Sequence, residues 1–240
     1  MNLVLLEEAE LGVPLPLGDA RARHILEVLR RGVGDELDAG VVDGPRGKAR
    51  VEAVSKEWLQ LSFTPLAPPA GQSPLRLIVG LPRPQTARKV LGEATTLGVG
   101  AMDFVRTDRG EPGYAQSTLW SSGEWRRHLL EGAQQAFCTR LPTVTHGESL
   151  EAVLAALPPA ADCARIVLDN YESPEALSGL SLASPGAVLA LGSERGWTAR
   201  ERDLFRAAGF RLAHLGPRVL RTETAVVAAV TLVLAKLGRL

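Results

Sequence analysis

From Leu75 to the C-terminus, short apolar runs alternate with stretches of helical periodicity, and this rhythm restricts the fold more than any other feature of the chain. LRLIVGL, AMDFV, ARIVLDN and GAVLALG read as strands; TARKVLGEATTLG, GEWRRHLLEGAQQA, SLEAVLAAL and TARERDLFRAAG read as helices. Strands that are apolar throughout and separated by helices belong in a mainly parallel sheet, because parallel neighbours need a crossover and the crossovers cover both faces. Such sheets bind ligands outside the carboxyl ends of their strands. The loops after Leu168, Leu191 and Leu215 are therefore where chemistry is expected.

The N-terminal part has a different texture. Asp19 is placed to cap a helix over ARARHILEVLRR, with Ile25, Leu26 and Leu29 on one face and Arg21, Arg23, Arg30 and Arg31 elsewhere. After Gly32, DELDAGVV, the turn DGPRG, KARVEAV and EWLQLSF read as short strands joined by tight turns, the pattern of a small β-barrel. TPLAPPAGQSP, Thr64 to Pro74, then reads as a stiff connector. The expected organisation is a β domain over 1–72 and an α/β domain over 73–240.

Lys plus Arg equals Asp plus Glu at 27 each, so the whole chain provides no electrostatic argument for a nucleic-acid or membrane partner, and any basic surface is local. The two cysteines, Cys138 and Cys163, lack CxxC spacing, and His128, His146 and His214 lack metal-ligand spacing, so no metal site is expected. MNLVLLEEAELG has acidic residues where an export signal needs basic ones. The apolar run Ala225 to Ala235 is about half the length of a membrane span and should be buried in protein. These features together predict a cytoplasmic protein.

Each of the three loops has a plain reading beside a functional one. VLDNYESP, with Asp169 and Asn170, is equally a capped turn. In LALGSERGWTARE, Gly192 and Gly196 bracket Ser193, Glu194 and Arg195, while Thr198 and Glu201 form a capping box that starts the helix after the loop. The glycines thus belong to a loop of their own, a tight turn or a place where backbone approaches a ligand. Neither GxGxxG running into the helix nor GK[ST] is present, which argues against a dinucleotide fold or a P-loop. In LGPRVLRTETAVVAAV, Gly216 and Pro217 form a turn and Thr222 or Thr224 can cap the last helix, with Glu223 suited to its dipole. Arg221 is left over, since a cation at a helix N-terminus is unfavourable without an anion nearby; a substrate phosphate, Glu223 or Glu194 would serve.

LGSERGW, LGPRVLRTETA, TLGV and QQAFCTRLP together resemble the SPOUT methyltransferases, specifically the family that methylates N3 of a uridine in small-subunit (16S) ribosomal RNA. RHILEVLRRGVGDELDAG is similar to that family's PUA-like RNA-binding β-barrel, so the resemblance spans the chain. It implies a C-terminal SPOUT domain with a deep trefoil knot after residue ~190, S-adenosyl-L-methionine held by backbone groups of all three loops, and a homodimer with the final helix near the interface. The cofactor residues it implies are Leu168, Leu191, Gly192, Glu194, Gly196, Leu215, Gly216, Val219, Leu220 and Ala225. Departures occur where the common family loop reads Gly-Pro-Glu-Gly-Gly and this chain has Gly192, Ser193, Glu194, Arg195 and Gly196. Thr96 and Gln134 stand where the family has Glu, and Cys138 where it has Arg, with Arg140 nearby.

Uridine N3 is a poor nucleophile until it loses its proton, so alignment and a positive group near the developing base anion should supply most of the acceleration. By their loop positions, Arg221 is expected in that role or on a target phosphate, and Glu194 in positioning or proton removal. RNA-contact candidates are His24, Arg30, Arg83, Arg109, Gln135 and Arg140, the partner being ribosomal RNA or the small ribosomal subunit. Trp58, Trp120, Trp125 and Trp197 are expected in core or edge packing, although Trp197 beside the glycine loop is a candidate stacking platform. The alternatives are a SPOUT enzyme acting on another RNA or atom, and a non-catalytic RNA-binding or assembly protein with a vestigial pocket. An oxidoreductase, suggested by the alternation alone, lacks the glycine fingerprint.

Overall fold

The computed structural model describes residues 3–159 and 161–240. Two compact units are present, Met1–Gly71 with Ala133–Leu141, and Gln72–Gly132 with Pro142–Leu240.

The first unit contains β1 (Val4–Leu6), β2 (Leu15–Pro16), α1 (Ala20–Arg23), β3 (Glu36–Val41), β4 (Arg46–Val54) and β5 (Trp58–Ala67). Its sheet runs β1-β3-β4-β5-β2, with β1 parallel to β3 and the other pairs antiparallel. Period-two patterning places Leu37 and Ala39, Ala49 and Val51, and Leu59 and Leu61 in one core with Ile25 and Ala22 from the helix. Two register shifts between β4 and β5 let the sheet curl. Gly47 sits in the curl, where a Cβ would lie 2.0 Å from the Thr64 carbonyl oxygen.

Asp19 caps α1, accepting from the Arg21 amide at 2.7 Å. Two details of this segment differ from the periodicity. After His24 the helix widens to a π turn, His24–Val28, closed by the Leu29 amide on the His24 carbonyl. The extra residue shifts the phase, so Leu29 is exposed although Ile25 is buried. Arg21, expected away from the core, is instead partly buried between Glu10 (2.6 Å) and Asp19 (2.7 Å). The short turn Glu8–Glu10 that brings Glu10 there has no periodicity to announce it.

Residues 133–141 fall outside the span expected for the first domain, yet they group with it through hydrogen bonds. The Asp43 amide donates to the Thr139 carbonyl (2.8 Å), Thr139 Oγ1 to the Gly44 carbonyl (2.7 Å), and the Leu141 amide to Asp43 Oδ1 (3.0 Å).

The second unit contains β6 (Ser73–Gly80), α2 (Pro84–Thr96), β7 (Val99–Arg106), α3 (Thr118–Ser121), α4 (Glu124–Gln135, its end in the first unit), β8 (Thr143–Ser149), α5 (Leu150–Ala155), β9 (Cys163–Leu168), β10 (Gly186–Leu191), α6 (Ala199–Ala207), β11 (Arg211–Ala213) and α7 (Thr222–Lys236). Six strands run β11-β9-β10-β6-β7-β8, all parallel. Central β10 is buried along its whole length, as a strand covered on both faces must be. The proline-rich connector is shorter than its composition suggests, because β5 extends to Ala67 and β6 begins at Ser73. Edge strand β8 is polar and half-exposed, so it lacked the apolar run that marks the others.

Because every strand of this sheet points the same way, the loops after β9, β10 and β11 emerge on one edge.

Candidate active site

In the loop after β9, Asp169 is buried and its Oδ1 accepts from the amides of Tyr171 (2.9 Å) and Glu172 (2.7 Å), so the carboxylate folds the turn itself. The plain reading of this aspartate is the correct one. Its Oδ2 accepts from Arg202 Nη1 (3.3 Å), and the same nitrogen donates to the Trp197 carbonyl (2.8 Å) while Nε donates to Glu172 (2.8 Å). One arginine on α6 thereby fastens the first loop to the second. Arg206, with Arg202, holds the Glu172 carboxyl below its ordinary range.

The second loop is a tight turn closed by the Gly196 amide on the Ser193 carbonyl (2.9 Å). Gly196 has φ +64°, and a Cβ on Gly192 would lie 2.9 Å from Gly196 Cα, so the turn folds on itself only with glycine at both positions. Trp197 anchors the end of this turn. It is buried against Phe205 with ring centroids 4.8 Å apart, which makes it core and removes it as a stacking platform. Thr198 and Glu201 form the expected capping box. Glu201, fully buried, also accepts from the Asp108 amide (2.8 Å), tying the loop after β7 to the start of α6.

Glu194 rises from this turn, and its Oε1 accepts from both the amide (3.1 Å) and Nε (3.3 Å) of Arg83, the residue that precedes α2.

In the third loop Gly216, at φ +104°, donates its amide to His214 Nδ1 (3.0 Å), which gives that histidine a turn-forming role. The cap of α7 differs from expectation. Neither Thr222 nor Thr224 caps it: the N-cap position is Arg221, with no side-chain hydrogen bond, and Thr222 is already the first, buried helical residue. Of the proposed partners of Arg221, Glu223 pairs with Lys89 (3.0 Å) and Glu194 with Arg83. The Glu223 carboxyl lies below its ordinary range because its own backbone amide and Lys89 both favour the anion. Arg221 itself makes no hydrogen bond or ion pair among the described residues and is exposed.

The three loops enclose a cleft of about 1190 Å³. Leu168, Leu191, Gly192, Glu194, Gly196, Leu215, Gly216, Val219, Leu220 and Ala225 all line it, as do Arg221 and Arg83. A smaller cleft of about 250 Å³ shares Arg83, Ser193, Glu194 and Arg195 with it and adds Arg109 and Tyr114.

Residues 70–234 match the model of the RNA methyltransferase domain. Over 98% of this chain and 91% of the relative, the sequence is 35% identical to ribosomal RNA small subunit methyltransferase E of Treponema pallidum. The chain belongs to this RNA methyltransferase family. It is also 25% identical to ribosomal RNA small subunit methyltransferase E 1 of Borreliella burgdorferi, over 99% of each. Among solved structures, ribosomal RNA small subunit methyltransferase E from Neisseria gonorrhoeae bound to S-adenosyl methionine superposes with a TM-score of 0.79 at 24% identity, covering 98% of this chain and 97% of the other. The α/β unit with its N-terminal curled sheet is thus the fold of the family.

Thr96 and Cys138, where the resemblance leads one to expect Glu and Arg, both have structural tasks here. Thr96 Oγ1 donates to the Gly132 carbonyl (3.2 Å) where α2 meets α4, a contact so close that a Cβ on Gly132 would lie 2.5 Å from the Gly92 carbonyl. Cys138 Sγ accepts from the Arg140 amide (3.4 Å), and Gln134 is buried. The RNA candidates divide by unit. Arg83 and Arg109 line the same small cleft in the second, while His24, Arg30, Gln135 and Arg140 belong to the first. His24 has its Nε2 sealed from solvent without a partner, so only part of its ring is available to RNA.

Sequence reasoning passed over Arg202, Lys89 and Tyr171. A lone arginine inside an amphipathic helix has no signal that distinguishes a loop clamp from a solvated charge. Among the described residues no group of His, Cys, Asp or Glu is arranged to hold a metal, and no helix is long and apolar enough to cross a membrane.

Proposed function

We propose that this protein uses S-adenosyl-L-methionine to methylate N3 of a uridine in small-subunit ribosomal RNA. The observation that carries the reading is the convergence of the three strand-end loops on one cleft lined by all ten residues named for the cofactor. Family membership and the names of the relatives support the chemistry and the RNA class.

The cleft suits the group. Leu168, Leu191, Leu215 and Leu220 provide apolar walls, the glycine turn brings backbone within reach, and the N-cap residue of α7, Arg221, places no side-chain hydrogen bond on the helix start. When bound, the cofactor supplies a methyl carbon on a sulfonium. The chain must then orient a uridine, release its N3 proton to a base or to water, and stabilise the charge left on the ring. Arg221, cationic and unpaired at the rim, fits the last task or a flanking phosphate. Glu194, fixed by Arg83, fits positioning or proton acceptance.

The subunit arrangement belongs to the same reading. α7 is apolar all round, yet Val227 on it is 36% exposed in a single chain, which fits a homodimer that covers this face. Free Cys138 and Cys163 fit a cytoplasmic location. The alternative, a family enzyme acting on another RNA or atom, is favoured by one observation: Thr96 and Gln134 are engaged in packing or burial where the family has acidic residues.

The test is titration followed by product analysis. Calorimetry should show binding of S-adenosylmethionine and none of NAD. Small subunits from cells lacking the gene, incubated with protein and cofactor and digested to nucleosides, should yield 3-methyluridine. A different methylated nucleoside would favour the alternative, and absence of cofactor binding would contradict the proposal.

A further inference from the structure

A smaller cleft opens beside the one that the three strand-end loops line. It lies between the loop after β7 and the glycine turn after β10, and shares Arg83, Ser193, Glu194 and Arg195 with the main cleft. Ser193 is 8% exposed, and its Oγ is sealed from solvent with no hydrogen-bond partner. A buried hydroxyl left unpaired is costly, and of the several such groups among the described residues Ser193 Oγ is the one whose residue lines this cleft. Two arginines interlock beside it: Arg109 Nη1 donates to the Arg195 carbonyl (3.4 Å) and Arg195 Nη1 to the Arg109 carbonyl (3.3 Å). Neither bond uses a carboxylate, so both charges remain available. Of the two carboxylates lining the cleft, Glu194 is engaged by Arg83 and Glu111 is exposed at the entrance to the short turn carrying Tyr114. Ser193 and Arg195 are also the positions at which this chain departs from the Gly-Pro-Glu-Gly-Gly form of the loop.

Resting on the methyltransferase reading, we propose that this cleft seats the extruded target nucleotide. Ser193 Oγ donates to a base carbonyl, and Arg109 and Arg195 take the flanking phosphates. A volume of about 250 Å³ suits a single pyrimidine nucleoside. Uracil flanks N3 with two carbonyl oxygens, and the negative charge left when N3 loses its proton spreads onto both. A hydroxyl already aligned on one of them binds the anion more strongly than the neutral base. The arginine pair offers planar donors for phosphate, and the half-buried Tyr114 offers a face for the ring. Arg83, Ser193, Glu194 and Arg195 line both clefts, so a base seated here lies beside the cofactor cleft.

The test compares wild type with Ser193→Ala and Arg195→Gly by thermal melting, calorimetry with S-adenosylmethionine, and steady-state methylation of small subunits from cells lacking the gene. Ser193→Ala should lower kcat by about 100-fold without lowering the melting temperature, since it removes a buried hydroxyl that has no partner, and Arg195→Gly should raise KM for RNA by about fivefold or more; the cofactor titration separates either effect from a loss of S-adenosylmethionine. Wild-type kinetics in both variants would overturn the subsite while leaving the methyltransferase reading intact. If wild-type protein transfers no methyl group, that reading fails, and the subsite is judged by uridine 5′-monophosphate binding in the presence of S-adenosylhomocysteine. Weaker binding to Ser193→Ala would support it, and equal binding would overturn it.

Discussion

Arg221 shows how a single residue acquires meaning only from its neighbours' engagements. Its sequence position offered a substrate phosphate, Glu223 or Glu194 as counter-charge; Arg83 and Lys89 make the close pairs with those carboxylates, and Arg221 acts on Glu223 without a close pair. The remaining cation lines the main cleft at the start of a helix and not the small cleft, so a phosphate of the RNA is its natural partner. Arg221→Ala is expected to lower methyl transfer to the true RNA by about 100-fold, with cofactor affinity retained when measured by calorimetry. Arg202 belongs to the opposite class, a charge committed to structure. With its side chain 11% exposed and Asp169 at 2%, removing it takes away the buried carboxylate's only cation among the described residues and leaves Oδ1 held by the Tyr171 and Glu172 amides alone. Arg202→Ala should cost about 3 kcal/mol in denaturant unfolding and weaken cofactor binding, because both loops lose their common tie.

At the scale of elements, α6 acts as a clamp. Arg200 grips Asp108 and Glu151, and Arg202 and Arg206 grip Glu172, so three separate segments are drawn to one helix. The carboxyls of Asp108, Glu151 and Glu172 are consequently held below their ordinary values of 3.8, 4.5 and 4.5. A group whose folded value is lowered stabilises the fold fully above its unfolded value and loses that contribution as pH falls through the folded one. The melting temperature is therefore expected to hold from neutrality to about pH 5 and to decline below about pH 4. Added salt should flatten the decline, since these pairs are largely exposed.

How far the elements were legible follows from the same physics. β6, β7, β9 and β10 announced themselves because buried parallel strands are apolar throughout, and α6 because its capping box is a local signal. Edge strand β8 and the two-residue β2 had neither property. The cap of α7 was misread because threonine is a good cap in general, whereas here Thr222 is needed inside the helix and buried. The cleft itself was legible as three strand-end loops. The small cleft beside it was not, because nothing in one dimension brings Arg109 to Arg195 across 86 residues.

In the whole molecule a parallel sheet gathers three loops on one edge, and the last helix is too apolar for solvent. If α7 lies in a dimer interface, Val227→Glu should shift the protein from dimer to monomer in light scattering while leaving the far-ultraviolet circular dichroism of the monomer unchanged. A persistent dimer would place the interface elsewhere. The central claim concerns what the cleft does in the cell, and nucleoside mass spectrometry of small-subunit ribosomal RNA from cells with and without the gene tests it most directly. One 3-methyluridine should be present with the gene and absent without it, restored by the wild type but not by Arg221→Ala. Persistence of that nucleoside in the deleted strain, with no second enzyme making it, would contradict the account.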